Sequence, residues 1–246
     1  AFYPADAAVL RLAIARCLTP AAVLPSVQLP ASAVAGAAAR GRLKALIVPH
    51  AGYIYSGPTA GRAYAEIAAQ RSAIRRVVLL GPTHRVAVKG IAVPSVASFR
   101  TPLGDIPLDR TAIDALAGLP YLVTADAPHA QEHSLEVHLP FLQTVLENFS
   151  LIPLAVSQTT VVEVADLIDR LWGGDETLIV ASSDLSHFHT YAEAQQIDND
   201  TVAHILKLEL LTSYEQACGA MPINGLLQVA RRRGMSIGRL AQCNSG

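Results

Sequence analysis

Histidine is the residue to weigh first in this chain. Its imidazole binds metals and changes charge near neutral pH, and three histidines follow apolar runs. Residues 43–49 lead to His50, residues 77–83 lead to His84, and residues 177–183 lead to Asp184 and His187. Each run reads as a buried strand. In an open α/β sheet, ligands bind in the crevice outside the carboxyl ends of the strands. Three strand ends that deliver imidazoles to that edge predict a metal or acid–base site.

The local sequence sharpens each candidate. Pro49 and Gly52 punctuate a tight turn around His50, and Gly81-Pro82 does the same before His84. Taken singly, each could be a loop histidine bonded to nearby backbone. Together they lie about one βα unit apart. Consecutive units usually place their strands side by side, so both rings are expected to reach one ion. Asp184 can orient a histidine or bind a metal, and His187 can act as a general base. The alternative there is a capping loop, which is the expectation for Ser182 and Ser183.

Glu132-His133-Ser134-Leu135-Glu136-Val137-His138 is a further dense segment. His133 and Glu136 would share a helix face, and His133 is expected to line the pocket. The segment argues against a di-iron bundle, because that Glu-x-x-His motif runs Glu before His and needs two such helices. His129, His189 and His204 are expected at the surface or around the site. Cys243 is a candidate soft metal ligand, with a small buried residue as the alternative. Cys218, just before Gly219, is expected to pack.

The elements that must position these groups alternate. Strands are expected at 43–48, 76–80, 151–156, 177–181 and 236–241. Helices are expected from 57 to 69, 108–116, 132–147 (with Pro140 kinking or restarting it), 160–171, 191–208 and 222–233. Residues 89–103 read as a β excursion, and 21–42 as a loop. Continuous apolar strands between helices imply a mostly parallel sheet covered on both faces. The reading is one three-layer αβα domain over 1–246.

Composition closes off other classes. The chain has 246 residues, 51% hydrophobic and 16% charged, with a net charge of −1. It has no basic footprint for nucleic acid; Arg231-Arg232-Arg233 reads as a helix C-terminus. No apolar run is long enough for a membrane span, and residues 7–16 read as an amphipathic helix. Three widely spaced cysteines argue against a disulfide framework and for a reducing cytoplasm.

Six blocks, taken in order, resemble a known family. They are Ala1-Phe2-Tyr3-Pro4, Val48-Pro49-His50-Ala51-Gly52-Tyr53, Gly81-Pro82-Thr83-His84, Glu132-His133-Ser134-Leu135-Glu136, Ser182-Ser183-Asp184-Leu185-Ser186-His187, and Cys218-Gly219 with Pro222-Ile223 and Asn244-Ser245-Gly246. The chain resembles the Memo-like family, also called AmmeMemoRadiSam system protein B, across essentially its whole length. The resemblance implies a fold similar to class III extradiol dioxygenases. It implies that His50 and His84 hold non-haem Fe(II), with copper or zinc as alternatives. His187 would be the acid/base histidine, with Asp184 and His133 beside it. Cys243 lies in the neighbourhood of a C-terminal cysteine that binds metal in some relatives, while the dioxygenase carboxylate ligand has no counterpart. The resemblance further implies a small-molecule substrate, a functional association with a radical-SAM protein, and incomplete termini. The rival expectation is a metal-handling or scaffold protein that kept the pocket without the catalysis.

Overall fold

The structure is a computed structural model and describes residues 2–19 and 42–244. The loop expected at 21–42 lies almost wholly outside the described residues. Eight strands and nine α-helices are described. The strands are β1 (Ala45–Val48), β2 (Arg76–Pro82), β3 (Ile91–Val93), β4 (Ser98–Thr101), β5 (Gly104–Pro107), β6 (Leu122–Thr124), β7 (Ser150–Val156) and β8 (Thr177–Ser182). Six of them form one sheet in the order β1-β8-β2-β7-β3-β6, parallel except where β3 runs against β7. β4 and β5 form a separate hairpin; the β excursion expected at 89–103 takes in β3, which joins the main sheet, and β4.

The helices are α1 (Ala7–Leu18), α2 (Tyr53–Glu66), α3 (Arg110–Asp114), α4 (Ala127–Ala130), α5 (His133–Glu136), α6 (Leu139–Val145), α7 (Val161–Arg170), α8 (Tyr191–Leu206) and α9 (Ala220–Arg232). Helices α1, α2 and α6 pack together, and α7 packs with α9, which lies on β8 and β2. The sheet between these layers explains the strand composition. Every residue of β8, and every residue of β2 and β7 after the first, is buried. Covered on both faces, these strands need continuous apolar runs. The result is the three-layer αβα architecture.

Local chemistry sets the helix ends. The Asp6 carboxylate accepts hydrogen bonds from the Ala8 and Val9 amides at 2.9 Å, satisfying N–H groups that have no partner within α1. Thr160 and Glu163 form a capping box that opens α7. Gly61 lets α2 approach α1 closely: a Cβ there would lie 2.2 Å from the Cys17 carbonyl oxygen.

The structure corrects three expectations and bears out a fourth. β1 and β2 are not neighbours, because β8 lies between them and pairs with both. The fully buried β8 needs a partner on each side, while the four-residue, half-buried β1 suits an edge. No strand forms at 236–241; Ile237 packs instead against a small core between α8 and α9. Residues 132–147 form two helices, and Pro140 restarts the second as expected, in the first turn of α6, where its missing N–H costs nothing. α2 starts at Tyr53 rather than Gly57, so Pro58 sits inside it.

Candidate metal site

The turn after β1 carries His50, and the residues after β8 hold that turn in place. The Asp184 Oδ1 atom accepts hydrogen bonds from the His50 amide (2.8 Å) and the Ala51 amide (3.2 Å). The Ser183 amide donates to the Val48 carbonyl at 2.9 Å. His50 is thereby held at the sheet edge with only 1% exposure. Its Nδ1 lies 2.6 Å from Ser182 Oγ.

His84 is fixed by a different carboxylate. Glu132, at the start of α5, accepts the His84 amide through Oε2 (2.5 Å) and His84 Nδ1 through Oε1 (2.8 Å). Its Oε1 also accepts the Ser134 amide at 3.0 Å. An ionised carboxylate can only accept, so Nδ1–H of His84 donates to it and Nε2 is left for other partners. The Ser134 hydroxyl donates to the Pro82 carbonyl at 2.8 Å, which ties α5 to the end of β2. Gly81 permits this contact, since a Cβ there would be 2.7 Å from Ser134 Oγ.

His133 completes the cluster. Its ring stacks on His84 with centroids 4.7 Å apart and on Phe2 at 4.3 Å. The His50 ring meets His84 and His133 edge-on at 5.2 and 5.3 Å. One ligand atom from each of His50, His84 and His133 lies within 4.8 Å of the other two. The strand ends that carry His50 and His84 are separated by β8, yet each histidine lies two residues past its strand and the two rings meet.

Cys218 also reaches this point. Its Sγ lies 3.3 Å from His50 Nε2, and the adjacent Gly219 amide donates to Ser183 Oγ at 2.8 Å. Gly219 allows the close approach: a Cβ there would lie 2.3 Å from the Ser182 carbonyl oxygen. Cys243, by contrast, is exposed, and its Sγ lies 2.9 Å from Thr59 Oγ1 on α2, outside the histidine cluster. Asp184 Oδ2 lies 3.8 Å from His50 Nε2 and 3.9 Å from Nε2 of the half-exposed His187. Asp184 therefore bridges the cluster and the outer histidine. His189 and His204 are exposed, as expected; His204 pairs with Glu209 at 3.0 Å.

The electrostatics follow from this packing. Hydrogen bonds with Cys218 and Glu132 raise the pKa of His84 to about 9. Burial lowers that of His50 well below the usual histidine range, and the neighbouring His84 and His133 charges add to this. His133 is lowered for the same reasons. Burial opposes ionisation of Glu132, but the hydrogen bonds from His84 and Ser134 outweigh it and hold the carboxyl at about 2.

The donor set fits a metal ion. Three imidazoles beside a thiol suit iron, copper or zinc, whereas magnesium and calcium need oxygen clusters. Among the described residues, His133 Nδ1 is buried without a well-aligned hydrogen bond, with Glu132 Oε1 3.3 Å away. A cavity of about 410 Å3, lined by Phe99, His129, Glu132, Leu135, Glu136 and Leu139 among others, adjoins the cluster through Glu132.

Two of these roles, those of Glu132 and Cys218, had only weak signals in the sequence. Glu132 is adjacent to His133, but nothing in the spacing says that it serves His84. Cys218 lies 168 positions from His50 in the chain, and only the Cys-Gly pair at a helix start marks it.

Fold and site together define a class: a three-layer αβα protein with a three-imidazole cluster, able to hold a metal, at the carboxyl edge of its parallel strands. The chain belongs to the Memo family, whose sequence model, described as Memo-like protein, matches residues 1–244. It is 34% identical to a MEMO1 family protein of Methanosarcina mazei over 215 residues, covering 81% of this chain and 78% of that one. It is 37% identical to a MEMO1 family protein of Aquifex aeolicus over 191 residues, covering 73% and 70%. A Methanopyrus kandleri MEMO1 family protein is 32% identical over 217 residues, covering 80% and 75%. Among solved structures, uncharacterized protein JW3007 from Escherichia coli K12 matches 68% of this chain and 80% of its own at TM-score 0.42 and 14% identity, too loosely to bear on the site.

Proposed function

We propose that this protein binds a single iron(II) or copper ion, with zinc as the redox-inert alternative, through His50, His84 and His133. We propose further that it uses the ion for dioxygenase-type oxidation of a small molecule in the cytoplasm, in functional association with a radical-SAM protein. The observation that carries this reading is the convergence of three imidazole ligand atoms within 4.8 Å of one another. When bound, a metal of this class supplies coordination for oxygen and substrate and a route for electrons between them.

The chain's own residues do the rest. Glu132 orients His84, and Asp184 anchors the turn that carries His50. Outer partners of this kind fix ring orientation and raise ligand basicity. His187 stands at the solvent side of Asp184, where it can take or return a substrate proton. The cavity next to Glu132 offers room for a small molecule.

The test begins with elemental analysis of protein purified without oxygen, followed by oxygen uptake with a catechol and Fe(II)-loaded protein. One bound ion that is lost in His84→Ala, together with catechol-dependent oxygen uptake, supports the reading. A second reading, metal handling or scaffolding without oxidation, is favoured by Glu132. Both of its oxygens are engaged by His84, so Glu132 is not free to serve as the carboxylate of a two-histidine, one-carboxylate iron site. Tight metal binding without oxygen uptake would decide for that second reading.

A further inference from the structure

The hydroxyl of Ser182, at the end of β8, is shared by three groups. Its Oγ lies 2.5 Å from the Ser134 carbonyl oxygen, 2.6 Å from His50 Nδ1 and 2.8 Å from His138 Nε2. A carbonyl only accepts, so the single hydroxyl proton points at Ser134. What remains on Oγ are lone pairs, and both imidazole nitrogens must donate to them. His138 is then protonated at Nε2 and bare at Nδ1, and its Nδ1 accepts the Tyr64 hydroxyl at 2.8 Å. Every polar atom in the chain of bonds is satisfied in this one arrangement. Tyr64, His138, Ser182 and Ser134 are each 0% exposed and His50 is 1% exposed, so no solvent stands ready to satisfy another.

From this we propose that Ser182, His138 and Tyr64 are positioning residues. They hold His50 in the tautomer protonated at Nδ1, so that Nε2 presents its lone pair to the cluster. On the other side of the ring, Nε2 faces the Cys218 sulfur at 3.3 Å and Asp184 Oδ2 at 3.8 Å, and the thiol can donate to a bare nitrogen there. With the proton on Nε2 instead, two lone pairs would face each other at the Ser182 contact, and a buried acceptor would lose its donor. The ligand is thus readied before any ion arrives. The proposal rests on the metal-site reading for its purpose, but the tautomer is a property of the metal-free protein.

The experiment labels histidine with 15N and records long-range proton–nitrogen correlations of the metal-free protein. The wild type should show His50 protonated at Nδ1 and His138 at Nε2. Ser182→Ala should shift the His50 proton toward Nε2 and weaken cobalt(II) binding roughly 10- to 100-fold, the range seen when an outer partner of a metal-binding imidazole is lost. Ser182→Thr, which keeps the hydroxyl, should restore the wild-type tautomer and most of the affinity. His50 protonated at Nε2 in the wild type overturns the proposal. So does a Ser182→Ala protein in which neither tautomer nor affinity changes. The wild-type spectrum needs no variant and decides even if Ser182→Ala does not fold. A correct spectrum without cobalt binding would uphold the lock and reject the metal-site reading.

Discussion

Cys218 and Cys243 divide the thiol question at the level of single residues. Both are free, but only Cys218 touches a cluster imidazole. Thiolate is a soft ligand that favours copper and zinc, so its loss should weaken these ions most. Cys218→Ala is expected to lower copper affinity by about tenfold or more, on the scale reported for partners of a metal site, while Cys243→Ala leaves it unchanged. Competition titration against a chromophoric chelator measures both. Equal losses in the two variants, or a loss only in Cys243→Ala, would return the ligand role to Cys243. Sequence proximity to the end of the chain pointed to Cys243. What decides is the close backbone approach of Gly219 to Ser182, which no local pattern encodes.

At the scale of elements, the packing of α1 on α2 depends on Gly61. A Cβ there would meet Cys17 backbone at 2.2 Å, and a helix backbone cannot yield as a flexible side chain can. Gly61→Ala should therefore cost about 1–3 kcal/mol of stability despite the better helix propensity of alanine. Gly238→Ala, where a Cβ meets nothing within 4 Å among the described residues, serves as the control and should be near neutral. Urea unfolding midpoints compare the two, and a Gly61→Ala protein as stable as wild type would show that α1 and α2 can separate without penalty. Strands β2, β7 and β8 and helix α7 were legible from apolar runs and caps. The broken 132–147 segment was half legible, through Pro140. The side-by-side placement of β1 and β2 was misjudged because it depends on where a later strand inserts.

For the molecule as a whole, the buried histidines set how stability depends on pH in the metal-free protein. Burial lowers His138 to about 3 and lowers His50 as well. Below the ordinary histidine pKa of about 6.5, the unfolded chain binds protons that these rings refuse, so stability is lost as pH falls from there. His84 runs the other way. Its pKa is raised to about 9, so its contribution is complete below about 6.5 and fades as pH rises through about 9. Thermal midpoints should therefore peak near pH 6.5, with His84→Gln flattening only the alkaline side. A midpoint that climbs between pH 6.5 and 9 would contradict the assigned environment of His84.

The layered αβα class, the central strands and the histidines that follow β1 and β2 are written locally in the chain, because apolar periodicity, caps and turn residues act over a few neighbouring positions. Tertiary structure alone decided that β8 would separate β1 from β2. It decided that His133, expected in the pocket, would come within ligand distance of His50 and His84, that Glu132 would serve His84, and that Cys218 rather than Cys243 would face the cluster. These outcomes join residues tens to well over a hundred positions apart. They follow from the order in which strands pair and from the close approaches of Gly81 to the Ser134 side chain and of Gly219 to the Ser182 backbone, which exist only once the sheet is assembled.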